Sequence, residues 1–204
     1  MPADIVKEDL IQQQILQAAK RLFQVHGLYK VTVDDVAKAV GKGRSSLYYY
    51  YKSKDEIFEA VMDIEISEMI AAITRAVDEA PGIEQKINAF CTTKLNVLRE
   101  KRGFFSVLDA GMDADAMSHF NQTRVTHHNL IIKREGILLN RILAEAIENN
   151  ELRPINEADM EMVVFVLLSS IHGLKREMIT LNNWEDIGRA VNALTRMVLY
   201  GLKK

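Results

Sequence analysis

The chain of 204 residues has one cysteine, three prolines and ten glycines. Cys91 alone can form no disulfide within the chain. That excludes a disulfide-stapled scaffold and suits a reducing cytoplasm. Cys91 falls in an apolar helical stretch, where a cysteine is a small buried hydrophobe. So few helix breakers, and no sustained apolar–polar alternation, exclude a strand-rich fold and predict an all-α chain of about nine helices. The longest apolar run, residues 162–168, is too short to cross a bilayer, and no signal peptide is visible. Catalytic signatures are missing too. There is no Gly-x-Ser-x-Gly elbow, no phosphate loop and no His-Glu-x-x-His. His119, His127 and His128, with Asp109, Asp113 and Asp115, match no standard metal spacing, and adjacent histidines leave a helix in different directions. No enzyme, metal or cofactor is expected.

Charge of either sign is also close to balance, at 26 Lys and Arg against 28 Asp and Glu, but it is unevenly placed. Residues 1–54 hold nine Lys/Arg and five Asp/Glu, a balance of +4; residues 55–204 hold 17 and 23, a balance of −6. A basic head on an acidic body favours a polyanion at one face only. Apolar residues make up 48% of the chain, enough for a substantial core.

The basic head carries the clearest local pattern. Thr32 with Asp35 three residues on is a capping box that starts a helix. Val33, Val36, Ala37 and Val40 share one face of it, and Gly41 supplies the left-handed residue that ends it. Residues 44–51 restart a helix whose inward side chains are Leu47 and Tyr51. Ser53 and Glu56 form a second capping box, so a third helix begins there. Two short helices about a glycine turn make a helix-turn-helix, whose second helix enters the DNA major groove. Residues 20–54 carry eight Lys or Arg against Asp34 and Asp35 alone. Arg44, Ser45, Ser46, Tyr48, Tyr49 and Tyr50 offer groups for guanine, phosphate and base edges. Four successive tyrosines cannot all face a core, so at least two are exposed. Lys20 and Arg21 suit backbone phosphates and solvated surface equally well.

The block resembles the DNA-binding domain of the tetracycline-repressor (TetR) family, whose pattern is roughly T-x-x-D-I-A-x-x-A-G-V-S-x-G-T-L-Y-x-Y-F-x-S-K. Thr32, Asp35, Val36, Ala37, Gly41, Leu47, Tyr48, Tyr50, Lys52, Ser53 and Lys54 match it, with Ser46 for Thr and Tyr51 for Phe. The departures are at the turn, where Lys42 replaces a small apolar residue and Gly43 replaces the usual N-cap serine. The second helix therefore starts less firmly, and Lys42 is expected to point at phosphate. The resemblance covers the first quarter of the chain. It implies a regulator bound to a palindromic operator, with DNA contacts from Thr32, Lys42, Gly43, Arg44, Ser45, Ser46, Tyr48, Tyr49, Tyr50, Lys52 and Lys54. It further implies a repressor, a homodimer through the last two helices, and a variable body that binds a small effector.

Around that block the expectations are these. Residues 1–7 read as an arm, and helix 1 as residues 8–25. Helix 4 covers 53–79, with Ile57, Phe58, Val61, Ile64, Met69, Ile70, Ile73 and Val77 inward; at ~1.5 Å per residue it is roughly 40 Å long. It is shared by a DNA-binding domain, 1–53, and a ligand and dimerisation domain, 54–204. Helix 5 covers 83–102 and a short piece follows to Met112. Residues 109–119 read as a loop with a short helix, and helix 7 as 121–149. Helix 8 begins after Asn156. Its apolar run at 162–168 points all round, which predicts cover on all sides. The last helix runs from Trp184 to Leu202, with Ile187, Ala190, Val191, Leu194, Met197 and Val198 in one stripe. Together they suit a two-fold four-helix interface. Candidate pocket residues for an apolar effector are Phe90, Phe104, Phe105, Met112, Met117, Phe120, His128 and Phe165; the same stripes would equally make a plain core. Thr92, Asn96, Asp109, His119, Thr123, His128 and His172 are the polar groups available to orient a ligand. Two other functions fit less of the sequence: a DNA-binding dimer whose body only dimerises or docks a protein, and a helical enzyme or adaptor without DNA.

Overall fold

The computed structural model describes residues 3–108 and 110–203; for residues 3–7 it describes the backbone alone. Among these residues there are nine helices: α1 Ala3–His26, α2 Val33–Val40, α3 Arg44–Tyr50, α4 Lys54–Asp78, α5 Ile83–Glu100, α6 Arg102–Val107, α7 Ala114–Glu148, α8 Glu157–Thr180 and α9 Ile187–Tyr200. The only extended pairing among them is one isolated bridge between Leu152 and Lys203. The all-α expectation holds.

The arm expected over residues 1–7 is already helical at Ala3; Met1 and Pro2 lie outside the described residues. Gly27 ends α1 with φ +78. Any side chain there would be strained, and its Cβ would lie 2.7 Å from the Val107 carbonyl oxygen. The segment expected as a loop over 109–119 is mostly helix. Asp113 caps α7, its Oδ1 accepting from the Ala116 N–H at 2.9 Å, so the helix starts at Ala114 and runs unbroken for 35 residues past Gly136. The last helix starts at Ile187 rather than Trp184.

The chain packs as two units, one of residues up to Ser67 with Lys101–His127, the other of Glu68–Glu100 with the residues from His128 on. This division falls inside α4 and α7, not at Ser53. The reason is packing: Ile57, Phe58, Val61 and Met62 of α4, with Phe104, Leu108 and Phe120, close the same core as Phe23, Val36 and Leu47. Ile64, expected inward, is exposed, and Ile66 takes the inner position. The second unit has its own core, built on Ile73, Ile87, Phe90, Leu139, Ile142, Leu167 and Val191.

Two expectations for this second unit are corrected. The apolar run of α8 has cover on one side only within the chain. Val164, Leu167 and Leu168 are buried, but Met162, Phe165 and Val166 are 58%, 65% and 44% exposed. On α9 the inner stripe is Ile187, Val191, Thr195 and Leu199, while Met197 is exposed. One helix face cannot hold both Val191 and Met197, which lie six residues and about 120° apart around the helix.

Candidate nucleic-acid interface

The α2–turn–α3 segment is fixed by its caps and by one buried leucine. The Thr32 Oγ accepts from the Asp35 N–H at 3.2 Å and donates to Asp35 Oδ2 at 2.7 Å, while the Thr32 N–H donates to the same carboxylate at 2.9 Å. These bonds, the Thr32 hydroxyl foremost, hold the Asp35 carboxyl below its ordinary range. Gly41 turns the chain with φ +68. The Lys42 N–H then reaches back to the Ala37 carbonyl at 2.9 Å, which satisfies a helix-end acceptor. Gly43 is the N-cap of α3 and brings no side-chain cap, as the departure from the family pattern implies.

Leu47 is fully buried and Tyr51 nearly so, which leaves the rest of this seven-residue helix outward. Arg44, Ser45, Tyr48 and Tyr49 are exposed, and Ser46 and Tyr50 are half-buried. The Arg44 guanidinium is held twice. Its Nη2 donates to the Tyr48 hydroxyl at 3.2 Å and its Nη1 to Asp34 Oδ2 at 3.4 Å, with its carbon 5.5 Å from the Tyr48 ring centre. The Tyr49 ring meets Tyr50 edge-on at 5.0 Å, and the Glu8 carboxylate, accepting from its phenol, raises the Tyr49 pKa.

The flanking groups divide. Lys42 and Lys52 have exposed side chains. The second capping box is only half formed: Ser53 Oγ accepts from the Glu56 N–H at 3.1 Å, but the Glu56 carboxylate takes the N–H of Lys52 rather than of Ser53. Lys54, expected at DNA, has its ammonium committed to the Leu28 and Tyr29 carbonyls at 3.0 and 3.2 Å. Burial, against the pull of Asp55, lowers its pKa. A lysine that ends on two carbonyl groups ties α4 to the chain after α1; it is not free to meet a phosphate.

The effector-pocket candidates are divided between the two units. Phe104, Phe105, Met112, Met117 and Phe120 belong to the first unit; Phe90, His128 and Phe165 to the second. Met112 and Phe120, with the polar candidates His119 and Thr123, line a small cavity of about 90 Å³ in the first unit. Phe104 is core, and Phe105 beside it is 37% exposed, because successive residues of a helix point about 100° apart. Phe90 is core and Phe165 lies on the surface. Asp109 lies outside the described residues. No group of three metal-ligating side chains occurs among the described residues.

Three charged contacts escaped the sequence reading. Asp34, one of two acids in the basic segment, stands opposite Arg44. Glu65 and the pair Lys94–Glu135 are buried. The available signal was a charge interrupting the inner stripe of a helix, at Glu65 in α4 and at Lys94 in α5; their partners are distant in sequence and leave none.

The model of the bacterial regulatory proteins of the tetR family matches residues 15–61, the segment that holds α2, α3 and their caps. The HTH-type transcriptional regulator YvaF of Bacillus subtilis is 25% identical over 198 residues, covering 94% of this chain and 95% of that protein. Among solved structures, the flavonoid-responsive regulator FrrA aligns with a TM-score of 0.69 at 19% identity, covering 96% of this chain and 98% of that one. FadR of Bacillus subtilis, solved in complex with stearoyl-CoA, aligns at 0.65 and 17%, covering 93% and 98%. No helix among the described residues is long and apolar enough to cross a membrane. Residues 15–61 are a DNA-binding segment of the tetR type, and the chain as a whole is similar to regulators of that type: it is a DNA-binding transcriptional regulator.

Proposed function

We propose that the chain is a cytoplasmic homodimeric repressor that leaves a palindromic operator when a small apolar effector binds its helical body. The observation that carries the DNA half is the outward face of α3. Leu47 anchors the helix while Arg44, Ser45, Tyr48 and Tyr49 project from it. In this reading Arg44 makes the bidentate contact to guanine. Ser45, Ser46, Tyr48, Tyr49 and Tyr50 meet base edges and sugar–phosphate. Thr32, Lys42 and Lys52 contact phosphates, and Gly43 lets the backbone approach closely. Lys54 serves indirectly, by holding α4 against the chain that follows α1.

The dimer rests on an apolar surface of the second unit. Met162, Phe165 and Val166 on α8, and Met197 and Tyr200 on α9, are 44–91% exposed. At helical spacing they form stripes that the chain itself leaves uncovered, the mark of an interaction face. Ser169 and Gly173, also exposed, continue the α8 stripe and permit close approach. A two-fold pairing of these faces would set two recognition helices about 34 Å apart or somewhat more, one DNA turn.

The effector is supported by the neighbours in fold, one responsive to flavonoids and one holding stearoyl-CoA. It would act by binding better to a conformation whose recognition helices are wrongly spaced, and the shift cannot exceed that difference in affinity. The repressor sign follows the family resemblance.

Selection of bound duplexes from the genome, then band shifts on the winner at two salt concentrations, tests the reading. A palindrome bound by a dimer with a steep salt slope is expected. No enriched sequence, with no small molecule found by mass spectrometry of the denatured protein, would sink it; a co-purified molecule would instead explain the silence and identify the effector.

A further inference from the structure

The core of the second unit contains a polar chain that no part of DNA binding uses. Lys94 on α5 and Glu135 on α7 are 1% and 0% exposed. The Lys94 ammonium donates to Glu135 Oε2 at 2.6 Å, and His172 Nε2 on α8 lies 3.4 Å from the same nitrogen. The His172 ring is 5.2 Å from that of His128 on α7. The chain thus runs from an exposed residue, His128, through half-buried His172, to a carboxylate with no access to water. At its inner end Glu135 Oε1 is buried without a hydrogen-bond partner.

A buried ion pair is not in itself stabilising. Two charges taken out of water recover the cost of desolvation only with good geometry and every lone pair satisfied, and apolar replacements of similar size are often neutral or stabilising. An unmatched buried acceptor adds a further cost. Burial and the Lys94 cation bring the His172 pKa down to about 4, so the neutral ring can accept from the ammonium. Cys91, one turn before Lys94 and fully buried, is pushed up to about 12 by burial; as a thiol it adds only apolar surface, as does Phe90 beside it. The cluster therefore has an open acceptor at Glu135 Oε1, beside a Lys94 ammonium that spends two of its three donors on Glu135 and His172.

We propose that Glu135 Oε1 is the polar anchor of the effector site, and that the effector is an uncharged apolar molecule whose hydroxyl donates to it. This rests on the effector reading above and narrows its chemistry. A carboxylate in that place would face the Glu135 oxygen with no proton between them. An ammonium would add a cation where Lys94, Lys175 and His128 already act on Glu135 and His172, in a core that cannot solvate it. A neutral hydroxyl completes the carboxylate and leaves the charge of the cluster unchanged.

The test compares hydroxyl compounds with their own methyl ethers, which keep the body and the oxygen and lose only the donor. Para-phenylphenol and decyl alcohol, each with its methyl ether, are titrated calorimetrically into the full chain and into its complex with the selected operator. In at least one arm the hydroxyl form should bind about 10- to 100-fold tighter than its ether, the usual discrimination when a buried polar group is left unpaired. Which arm responds tells aromatic from aliphatic effectors. In the double variant Lys94→Met/Glu135→Leu, checked for helicity by circular dichroism, that ratio should fall to about one. Ethers that bind as tightly as the hydroxyl forms, or a ratio unchanged in the double variant, would overturn the anchor. An ether that releases operator overturns the anchor while leaving the effector reading intact. Failure of both hydroxyl probes to bind also overturns the anchor, and the effector reading then rests on the mass spectrometry described above.

Discussion

Glu65 in the first unit and Glu135 in the second are both withdrawn from water, at 2% and 0% exposure, yet their surroundings are opposite. Glu65 on α4 is met by two cations, Lys20 from α1 and Lys101 from the start of α6, one at each oxygen. Burial pushes its carboxyl up, but hydrogen bonds from Lys101 and Lys20 outweigh it and leave the pKa below the ordinary value. Glu135 is paired with Lys94 on one oxygen, and His128 and Lys175 act on it through charge. Here burial wins over the lysine and the pKa stands above the ordinary value. The first unit holds the DNA-binding helices and sets two lysines on its buried glutamate. The second sets one lysine on one oxygen of its own and leaves the other open, which is what a site awaiting a ligand group would have.

The comparison breaks most visibly at the lysines. Lys94→Met leaves an uncompensated charge in a core, a change that costs about 3–5 kcal/mol. Adding Glu135→Leu should restore most of it. Urea melts of the two variants check this, and a double variant no more stable than the single would mean that the pair itself supports the fold. Lys20→Met should cost far less, about 1 kcal/mol, because Lys101 still covers Glu65 and Lys20 is 32% exposed in its side chain.

Acid sharpens the same contrast, because the two glutamates give stability opposite slopes. Glu65 has a depressed folded pKa, so its contribution is present above the unfolded value, near 4.5, and is lost as pH falls through the folded one. Glu135 has a raised folded pKa; its contribution is present below about 4.5 and is lost as pH rises through the folded value. Glu65→Gln should therefore flatten the loss of stability between pH 7 and pH 4, and Glu135→Gln should steepen it. Urea midpoints at each pH read the effect, and parallel curves for the two variants would contradict the assignment of the shifts.

How far the sequence could be read follows the same division. The DNA-binding segment is built from local rules: Thr32 with Asp35, Gly41, and Leu47 at helical spacing from Tyr51 are within a few residues of one another, and each is legible in one pass. The start of α7 was missed because Asp113 looked like one acid among several in a polar segment, and only its bond to the Ala116 N–H marks it as a cap. Lys54 was read by its charge and its place in a motif, whereas carbonyls at Leu28 and Tyr29 decide where it ends. The faces of α8 could not be divided by periodicity, since an all-apolar run has no polar side to orient it. Lys94 and Glu135 are 41 residues apart, and nothing local announces that they meet.

Asp34 and Arg44 form a third acid–base contact, and it tests whether incompleteness has a use in the first unit as well. Their side chains are 45% and 62% exposed, so the pair contributes little to stability and Asp34→Asn should leave the urea midpoint unchanged. Its effect should lie in recognition. Asp34 and Tyr48 together fix the Arg44 guanidinium and leave its other donors for a base. Replacing Asp34 removes a charge near the phosphates, which strengthens binding to any duplex. It also frees Arg44 to leave its bidentate position, which weakens discrimination at one base pair by about tenfold, against about 10- to 100-fold for Arg44→Ala. The two effects separate in the ratio of operator to random-duplex affinity: it should fall while the affinity for random duplex rises. In an Arg44→Ala background the Asp34 change should no longer alter discrimination, since the group it positions is gone. Equal gains on operator and random duplex would reduce Asp34 to a repelling charge, and an unchanged ratio in Arg44→Ala alone would move Arg44 from base reading to phosphate contact.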